Sequence, residues 1–500
     1  IMIQWNAVKI QLGQLSVFSR NPRTITNEKY ESLRKSLDEL GIFRPFILDF
    51  DQRTVLGGNQ RSKVLLEEFP TGHEVLCMVP DRELTSKEKE KVVLMDNGHF
   101  GAWDFDTLAN FELDVDEIKA LDIDLDIPEL DIEDYDPELN EEEESVEDKS
   151  GGALVYAIVG AGQGGGRMAK AFYDMGYTKT VAVNTAKSDL NGLDLPENQK
   201  FLVDEHGEQG AGKDQAKAEA AIERKEQEVF NKFREIFGNN VDRILICLGV
   251  SGGSGGGTVN TLIKVAKKYF TYIGVENVDE RVGVVASLPT AGESASPTVA
   301  ENAHNRITQL CGLAEEGKIA PLIMVDNEKI KKLYPKLTVK KFWRTINNTV
   351  AGLFHVFNVL ANKDSEYTTF DATDYDSIMK QPGCMIMGVT TVKEPENETA
   401  VSTALKKNLE KTLLAEGFDL TTASGAACIV VGGEVIFEET VGLMDNIEFG
   451  FDTLAALTGG AIVHRGIYED AKRDKLVTYT LVSGLKRPGK RIEGLKKFLK

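Results

Sequence analysis

Cysteine is scarce in this chain: five residues in 500, Cys77, Cys247, Cys311, Cys384 and Cys428, far apart and mostly set in apolar runs. No CxxC and no Cys/His spacing occurs. That excludes a disulfide framework and a zinc module, and it reads the five as reduced core residues. No apolar run reaches the roughly 20 residues needed to cross a bilayer, and no secretory signal opens the sequence. The expected compartment is the cytoplasm. Positive charge is also in short supply, with 58 Lys and Arg against 79 Asp and Glu and a net charge of −21. A general nucleic-acid coat is thereby excluded, because phosphate would be repelled over most of such a surface. There is no internal repeat. What the chain has is length and apolar mass: 42% hydrophobic residues over 500 positions suffice for more than one core.

The acidity is concentrated. Residues 131–152 hold eleven acids against one lysine and end in Ser-Gly-Gly, the composition of a solvated linker. Before it, residues 1–130 read as a small α/β module. "TNEKYESLRKSLDELG" has Tyr30, Leu33, Leu37 and Leu40 on one helical face and Gly41 as its stop; strand-like "FILDF" and "TVLGG" follow, then a helix from about Gln60. After the linker, residues 153–338 alternate: "ALVYAIVG", a helix through 167–175, "TVAVNT", a long helix near 213–237, "RILICLG", a helix from Val259, "RVGVVASL" and "PLIMVDN". Near-continuous apolar strands separated by helices imply a parallel sheet covered on both faces. A connecting helix over 339–365 leads to a smaller α+β region, 366–485, with strands near "CMIMGVTTV", "AACIVVGGEVIFEE", "AIVHRGIY" and "KLVTYTLVSG". A basic tail, 486–500, closes the chain.

Two strand-to-helix turns are crowded with glycine. "VGAGQGGGRMAKAFYDMG" runs from 159 to 176, and "SGGSGGGT", 251–258, puts five glycines into its first seven positions. A third segment, Gly210-Ala211-Gly212, also precedes a helix. Glycine-rich turns at helix N-termini present backbone N–H groups to a phosphate. A single GxGxxG points to a dinucleotide site, but the acid expected at the end of the second strand is missing; Asn184 and Thr185 stand there. The lysine of GxxxxGK[ST] is missing as well, so this is not a Walker loop. Two or three glycine loops at the carboxyl ends of parallel strands fit a di- or triphosphate. The alternative is that these glycines serve only close helix–sheet packing.

"SGGSGGG" resembles the tubulin signature, with Ser254 in place of a threonine and Gly256 in place of a small side chain. "AVNTAKSDL", "VGVVASLPTAGE", "PLIMVDN" and "FDATDYDSIMKQPGCMIMGV" resemble segments of FtsZ, in order, over about 153–485. The resemblance implies the tubulin/FtsZ fold, a Rossmann-like parallel-sheet GTPase domain with a connecting helix and a smaller α+β domain. It implies GTP/GDP as ligand, held by Gly160, Gly162, Gln163, Gly164 and Gly165 of the first loop, by Asn184, by Gly210, Ala211 and Gly212, and by Gly252, Gly253, Ser254, Gly255 and Gly256. Glu293 would meet the ribose. Asn327 and Asn347 would meet the guanine edge, with Trp343 stacking on the base. Mg²⁺ would be held by phosphate oxygens and water with no direct protein ligand. Asp371 and Asp374 fall in the family's synergy loop, whose acids complete the site of the next subunit, so the implied partner is a second copy in a head-to-tail filament. Two positions depart from the pattern: Pro297 stands where FtsZ has arginine, and Thr369 where the loop has asparagine.

Residues 10–130 resemble the ParB-like domain through "NPR", "GIFRPFILD" and "GGNQRSKVLLEE". The last corresponds to a box that binds CTP phosphates in that family, which makes Arg23, Gly58 and Arg61 candidates for a second nucleotide site; a structural or protein-binding role is the alternative. His99 and Trp103 read as packing residues. The tail "LKRPGKRIEGLKKFLK" reads as a solvated terminal helix or as a contact for DNA, a membrane surface or an acidic partner. The leading expectation is a GTP-hydrolysing filament protein. The runner-up is a non-polymerising, nucleotide-dependent adaptor whose ParB-like module takes DNA or CTP.

Overall fold

The computed structural model describes residues 3–18, 23–24, 34, 37, 41–42, 44–68, 72–96, 102–103, 148–203, 210–333, 339–412, 414–470 and 473–498. The acidic stretch 131–147, His99 and most of the expected helix at 26–40 lie outside them. Two compact units are formed, one within Ile1–Ile127, the other from Pro128–Lys331 and Val339–Lys500.

The first unit is a five-stranded sheet. Its strands are β1 (Trp5–Gln11), β2 (Ser16–Val17), β4 (Phe46–Leu48), β5 (Thr54–Gly57) and β6 (Glu74–Pro80), in the order β1-β6-β4-β5-β2; β3 (Arg23–Thr24) and β7 (Ala102–Trp103) pair separately. Phe46, Leu48, Val55, Leu65 and Cys77 form its core. Gly41 has φ +68° and its N–H bonds the Leu37 carbonyl at 2.9 Å, while most of the helix expected before it lies outside the described residues. The helix Asn59–Glu68 follows β5 directly.

The second unit is built on one ten-stranded sheet. Its strands are β8 (Tyr156–Ala161), β9 (Thr180–Asn184), β10 (Lys200–Leu202), β11 (Arg243–Gly249), β12 (Val282–Leu288), β13 (Leu322–Asp326), β14 (Cys384–Val392), β15 (Gly425–Gly432), β16 (Ile462–Glu469) and β17 (Leu476–Leu485). The order is β10-β9-β8-β11-β12-β13-β14-β17-β15-β16. From β10 to β13 the strands are parallel and nearly all buried. The expected division into two domains is bridged by two parallel pairs, Leu322↔Cys384 and Ile323↔Met385. Strand order reverses between β8 and β11, the topological switch point where open α/β sheets bind ligands outside the carboxyl ends of their strands.

Several segments depart from the sequence reading. The helix expected from Val259 already starts at Gly253, and the first one at Gly162, so most of the glycines are helical turns rather than loop. The stretch 213–237 is two helices, Gln215–Arg224 and Glu226–Phe237, broken at Lys225. "EVIFEE" is a short helix, Glu434–Glu439, rather than a continuation of β15, which ends at Gly432. Residues 148–152 are partly packed: Ser150 is buried and the Lys149 N–H bonds the Gly176 carbonyl, while Lys149 and Gly151 are exposed.

The tail is also packed. Residues Gly489–Leu495 form a helix with Ile492 and Leu495 buried, and Arg491 pairs with the buried Asp326 at the end of β13. Among the described residues, no helix is long and apolar enough to cross a membrane, and all five cysteines are free and buried.

Candidate functional site

The helices Gly162–Asp174 and Gly253–Tyr272 start at the carboxyl ends of β8 and β11, on either side of the switch point. An α-helix leaves its first amides without partners inside the helix. Neither helix satisfies them with a capping side chain, and neither has an acid in its first turn. Two bundles of unspent N–H donors therefore face the crevice, reinforced by the positive ends of the helix dipoles.

The glycines divide by what surrounds them. A Cβ at Gly165 would lie 2.0 Å from the Cys247 carbonyl oxygen, and one at Gly255 would lie 2.9 Å from that of Ala161. Each helix thus presses a glycine onto the other's strand. Gly162, at φ +69°, brings its backbone against Gly255, where a Cβ would sit 2.6 Å from the amide nitrogen. Gly160 is closed off by Gly165 and Ala169, Gly253 by Lys213, and Gly256 by Gln215. Gly164 and Gly252 have nothing nearer than 3.8 and 3.7 Å, and Gly212 faces open space. Close packing therefore accounts for many of these glycines, and it serves to bring the two helix starts together.

Polar side chains lock the rim of this crevice. Thr185, just past β9, has its Oγ1 2.6 Å from Ser254 Oγ and accepts the Ala211 N–H at 3.1 Å, so one hydroxyl ties together three segments. Asn184 is buried and its amide donates to Asp189, which also accepts from Gln163. Gln215 donates to the Val250 and Gly252 carbonyls, while its oxygen accepts from Arg306 at 3.3 Å. Asn302 reaches the carbonyls of Lys213 and Ser251. Gln215, Asn302 and Arg306 do not stand out in the sequence, and Thr185 is marked there only by its place at the end of a strand. Polar residues on helices are common, and only the fold shows which ones bridge two loops.

Further along the same edge, Glu293 closes a capping box on Thr290, its Oε2 accepting the Thr290 N–H at 2.8 Å. Pro297 occupies the first turn of the helix Pro297–Glu315, a position where its missing N–H costs nothing. Asn327 follows β13; it is buried, and its Oδ1 has no hydrogen-bond partner among the described residues. A buried amide oxygen left unpaired is costly.

Asn347 is buried on the connecting helix Val339–Leu360. That helix is pinned at the amino edge of the sheet, where Asn358 exchanges hydrogen bonds with Leu154 at 2.9 and 3.0 Å. Asn347, eleven residues earlier, lies about 16 Å back along the helix, toward the carboxyl edge. Trp343 falls on this helix, with its side chain outside the described residues.

The two acids lie at the other end. Asp371 caps the helix Ala372–Met379, accepting the N–H groups of Thr373 and Asp374 at 2.8 and 2.9 Å, and Asp374 accepts the Asp371 N–H at 3.3 Å. The same helix is fastened to the starts of β8 and β11. Tyr375 OH lies 3.4 Å from Tyr156 OH, and Asp376 pairs with the fully buried Arg243 at 3.0 Å and with Arg281 at 3.3 Å. Burial pushes the Asp376 carboxyl up, but Arg243, the hydrogen bond from Lys380 and Arg281 together hold it below the usual range. Strands of this length rise about 3.3 Å per residue, so roughly 20 Å of sheet separates Asp371 and Asp374 from their own chain's glycine turns.

In the first unit, Gly58 has φ +93° and packs on the Phe46 ring. The Arg61 guanidinium is engaged by the carbonyls of Arg44 and Pro45, at 2.7 and 3.3 Å, and lies over that same ring. Of Arg23 only the backbone, in β3, is described. Among the described residues no group of three or more His, Cys, Asp or Glu is arranged to hold a metal ion.

Residues 156–335 match the tubulin/FtsZ family, GTPase domain, and residues 368–489 the C-terminal domain of the tubulin-like protein TubZ. The cell division protein FtsZ 1 of Pyrococcus woesei is 25% identical over 312 residues, covering 62% of this chain and 77% of the relative. Among solved structures, a GTPγS-form protofilament of TubZ from Bacillus thuringiensis serovar israelensis superposes with a TM-score of 0.59 at 20% identity, over 71% of this chain and 92% of that one. GTPγS-bound CetZ2 from Haloferax volcanii, also a protofilament, gives 0.56 at 21% identity, over 69% and 97%.

Proposed function

The chain carries a tubulin/FtsZ-family GTPase domain and a TubZ-type C-terminal domain, and from that premise we propose that it binds and hydrolyses GTP and assembles head to tail into filaments. The observation that carries the reading is the separation of the site's two halves. The glycine helix starts lie at the carboxyl edge of the sheet, and Asp371 and Asp374 are anchored at its amino edge through Tyr375 and Asp376. Acids some 20 Å from their own cradle can reach a nucleotide only on another copy.

In the proposed complex, the amides of Gly162–Gly165 and Gly252–Gly256 hold the phosphates, with Gly210, Ala211 and Gly212 closing near the terminal one. Ser254 and Thr185 set the spacing between these turns. Asn327 and Asn347 take the guanine edge, Trp343 stacks on the base, and Glu293 lies beside the ribose. Mg²⁺ is carried by phosphate oxygens and water. Asp371 and Asp374 of the adjoining copy orient and polarise the attacking water, so assembly completes the catalytic site. A contact of this heterologous kind does not close on itself and propagates into a filament.

The N-terminal unit is assigned to cargo, either a DNA-bound partner or DNA. The engagement of Arg61 by backbone carbonyls favours a structural or protein-binding role over a phosphate ligand there.

The test follows sedimentation and phosphate release together after GTP and Mg²⁺ are added to the full chain, with Asp371→Ala alongside. The wild type is expected to pellet and release phosphate. The variant should pellet but hydrolyse on the order of a hundredfold more slowly, the low end of what a positioned acid or base contributes. Tight GTP binding with neither pelleting nor release would overturn the filament reading and leave a nucleotide-gated adaptor.

A further inference from the structure

The acid loop has a partner that no sequence motif announced. His464 lies on β16, in register with Ala427 of β15, and its Nδ1 is 2.7 Å from Asp374 Oδ1. Its Nε2 is 3.2 Å from Ser377 Oγ, and that hydroxyl donates to the Asp374 carbonyl at 2.7 Å. The ring is held at Nδ1 by the Asp374 carboxylate, with Ser377 Oγ beside Nε2. A nitrogen and a carboxylate oxygen 2.7 Å apart share a proton, and here Nδ1–H donates to the carboxylate.

Asp374 needs such a partner. Its side chain is 30% exposed and sits in the first turn of the eight-residue helix Ala372–Met379. Among the described residues, its second oxygen accepts the Asp371 N–H alone, at 3.3 Å. Thr369, the residue that departs from the synergy-loop pattern, is used locally, its Oγ1 accepting the Ser365 N–H at 3.3 Å. Of the side chains bonded to the Asp374 carboxylate, His464 comes from outside the acid loop, carried on a strand of the main sheet.

We propose that His464 is a positioning residue for GTP hydrolysis in the neighbouring copy, fixing the Asp374 carboxylate in the orientation that meets the attacking water. The inference rests on the reading of Asp374 as an acid that acts across the filament joint. Its physical basis is the steep dependence of such steps on placement, where an error of about 1 Å costs up to about a hundredfold. His464 acts through Asp374 and contacts neither nucleotide nor water in this scheme.

Three substitutions separate positioning from simple fastening, because amide isosteres imitate one ring nitrogen each. Asn at 464 keeps an N–H donor at the Nδ1 position toward Asp374. Gln places its amide at the Nε2 position, toward Ser377. Leu offers neither. His464→Leu and His464→Gln are expected to lower kcat for phosphate release tenfold or more, leaving the KM for GTP and the pelleted fraction unchanged. His464→Asn is expected to restore most of the rate.

Asp374→Asn is run in parallel to separate the two claims. A full rate in Asp374→Asn would overturn the reading of Asp374 itself. A slow Asp374→Asn beside a wild-type rate in His464→Leu would overturn the role of His464 and leave that reading standing. A fall of kcat, thermal stability and pelleting together in all three His464 variants would make His464 a fastener of helix to strand and would overturn the inference.

Discussion

A methyl group added at Gly165 would lie 2.0 Å from the Cys247 carbonyl oxygen, between two backbones that cannot give way, whereas one added at Gly252 would find nothing nearer than 3.7 Å. The two residues are indistinguishable in the string "GGG" or "SGG". Gly165→Ala is expected to destabilise the fold by about 3 kcal/mol or more, the upper range for forced overpacking. Gly252 has φ −76° and ψ 154°, which alanine adopts freely. Gly252→Ala is therefore expected to leave the melting temperature close to wild type while weakening GTP binding about tenfold, about 1.4 kcal/mol, because the new methyl group would crowd the proposed phosphate cradle. Thermal melting and nucleotide titration of the two variants check this, and equal effects on stability would remove the distinction. Thr185 shows the converse limit of reading residues one at a time. Its hydroxyl joins Ser254 to Ala211, yet nothing in "AVNTAKSDL" separates it from any other threonine that ends a strand.

Elements were legible where their periodicity was strong. The buried strands β8, β9, β11, β12 and β13 lie where runs such as "RILICLG" place them, because a strand covered on both faces must be apolar throughout. "EVIFEE" misled because its branched and aromatic residues suit a strand, whereas β15 ends at Gly432, Gly433 packs so close to the Arg473 backbone that a Cβ would lie 1.9 Å from its carbonyl oxygen, and a short helix follows. The basic tail misled differently. Its composition reads as solvated, yet Arg491 forms a two-pronged pair with Asp326 at 2.5 and 2.9 Å, and the Asp326 side chain is only 3% exposed. The anchoring element is more than 160 residues away in sequence, so no local pattern could reveal it. Arg491→Ala leaves a buried carboxylate without its counter-charge and is expected to cost about 3–5 kcal/mol. Arg487→Ala, whose pair with Glu315 is partly solvated, is expected to cost under about 1 kcal/mol. Urea unfolding of the two variants tests the contrast, and similar midpoints would mean that Asp326 does not anchor the tail.

At the scale of the whole molecule, the ten-stranded sheet keeps the glycine-rich helix starts and the acids Asp371 and Asp374, the two halves of the proposed site, at opposite edges. A subunit with a complete site would hydrolyse at a rate per molecule independent of concentration. Here the specific GTPase rate is expected to be near zero at low concentration and to rise steeply once filaments form, with sedimentation rising over the same range; a flat specific rate across a hundredfold dilution would contradict the shared site. The sequence by itself determined the alternation of strand and helix, the two glycine-rich segments that lead into helices, and the family those segments resemble, with Asp371 and Asp374 in its acid loop. These are local properties, set by periodicity, by glycine and by residues three or four positions apart. The tertiary structure alone decided which glycines are crushed between backbones and which stay open, that Asn327 keeps an unpaired oxygen, that His464 meets Asp374, and that cradle and acids stand at opposite edges. Each of these depends on groups brought together from distant parts of the chain by the order of the strands, and strand order is a property of the packed sheet rather than of any stretch of sequence.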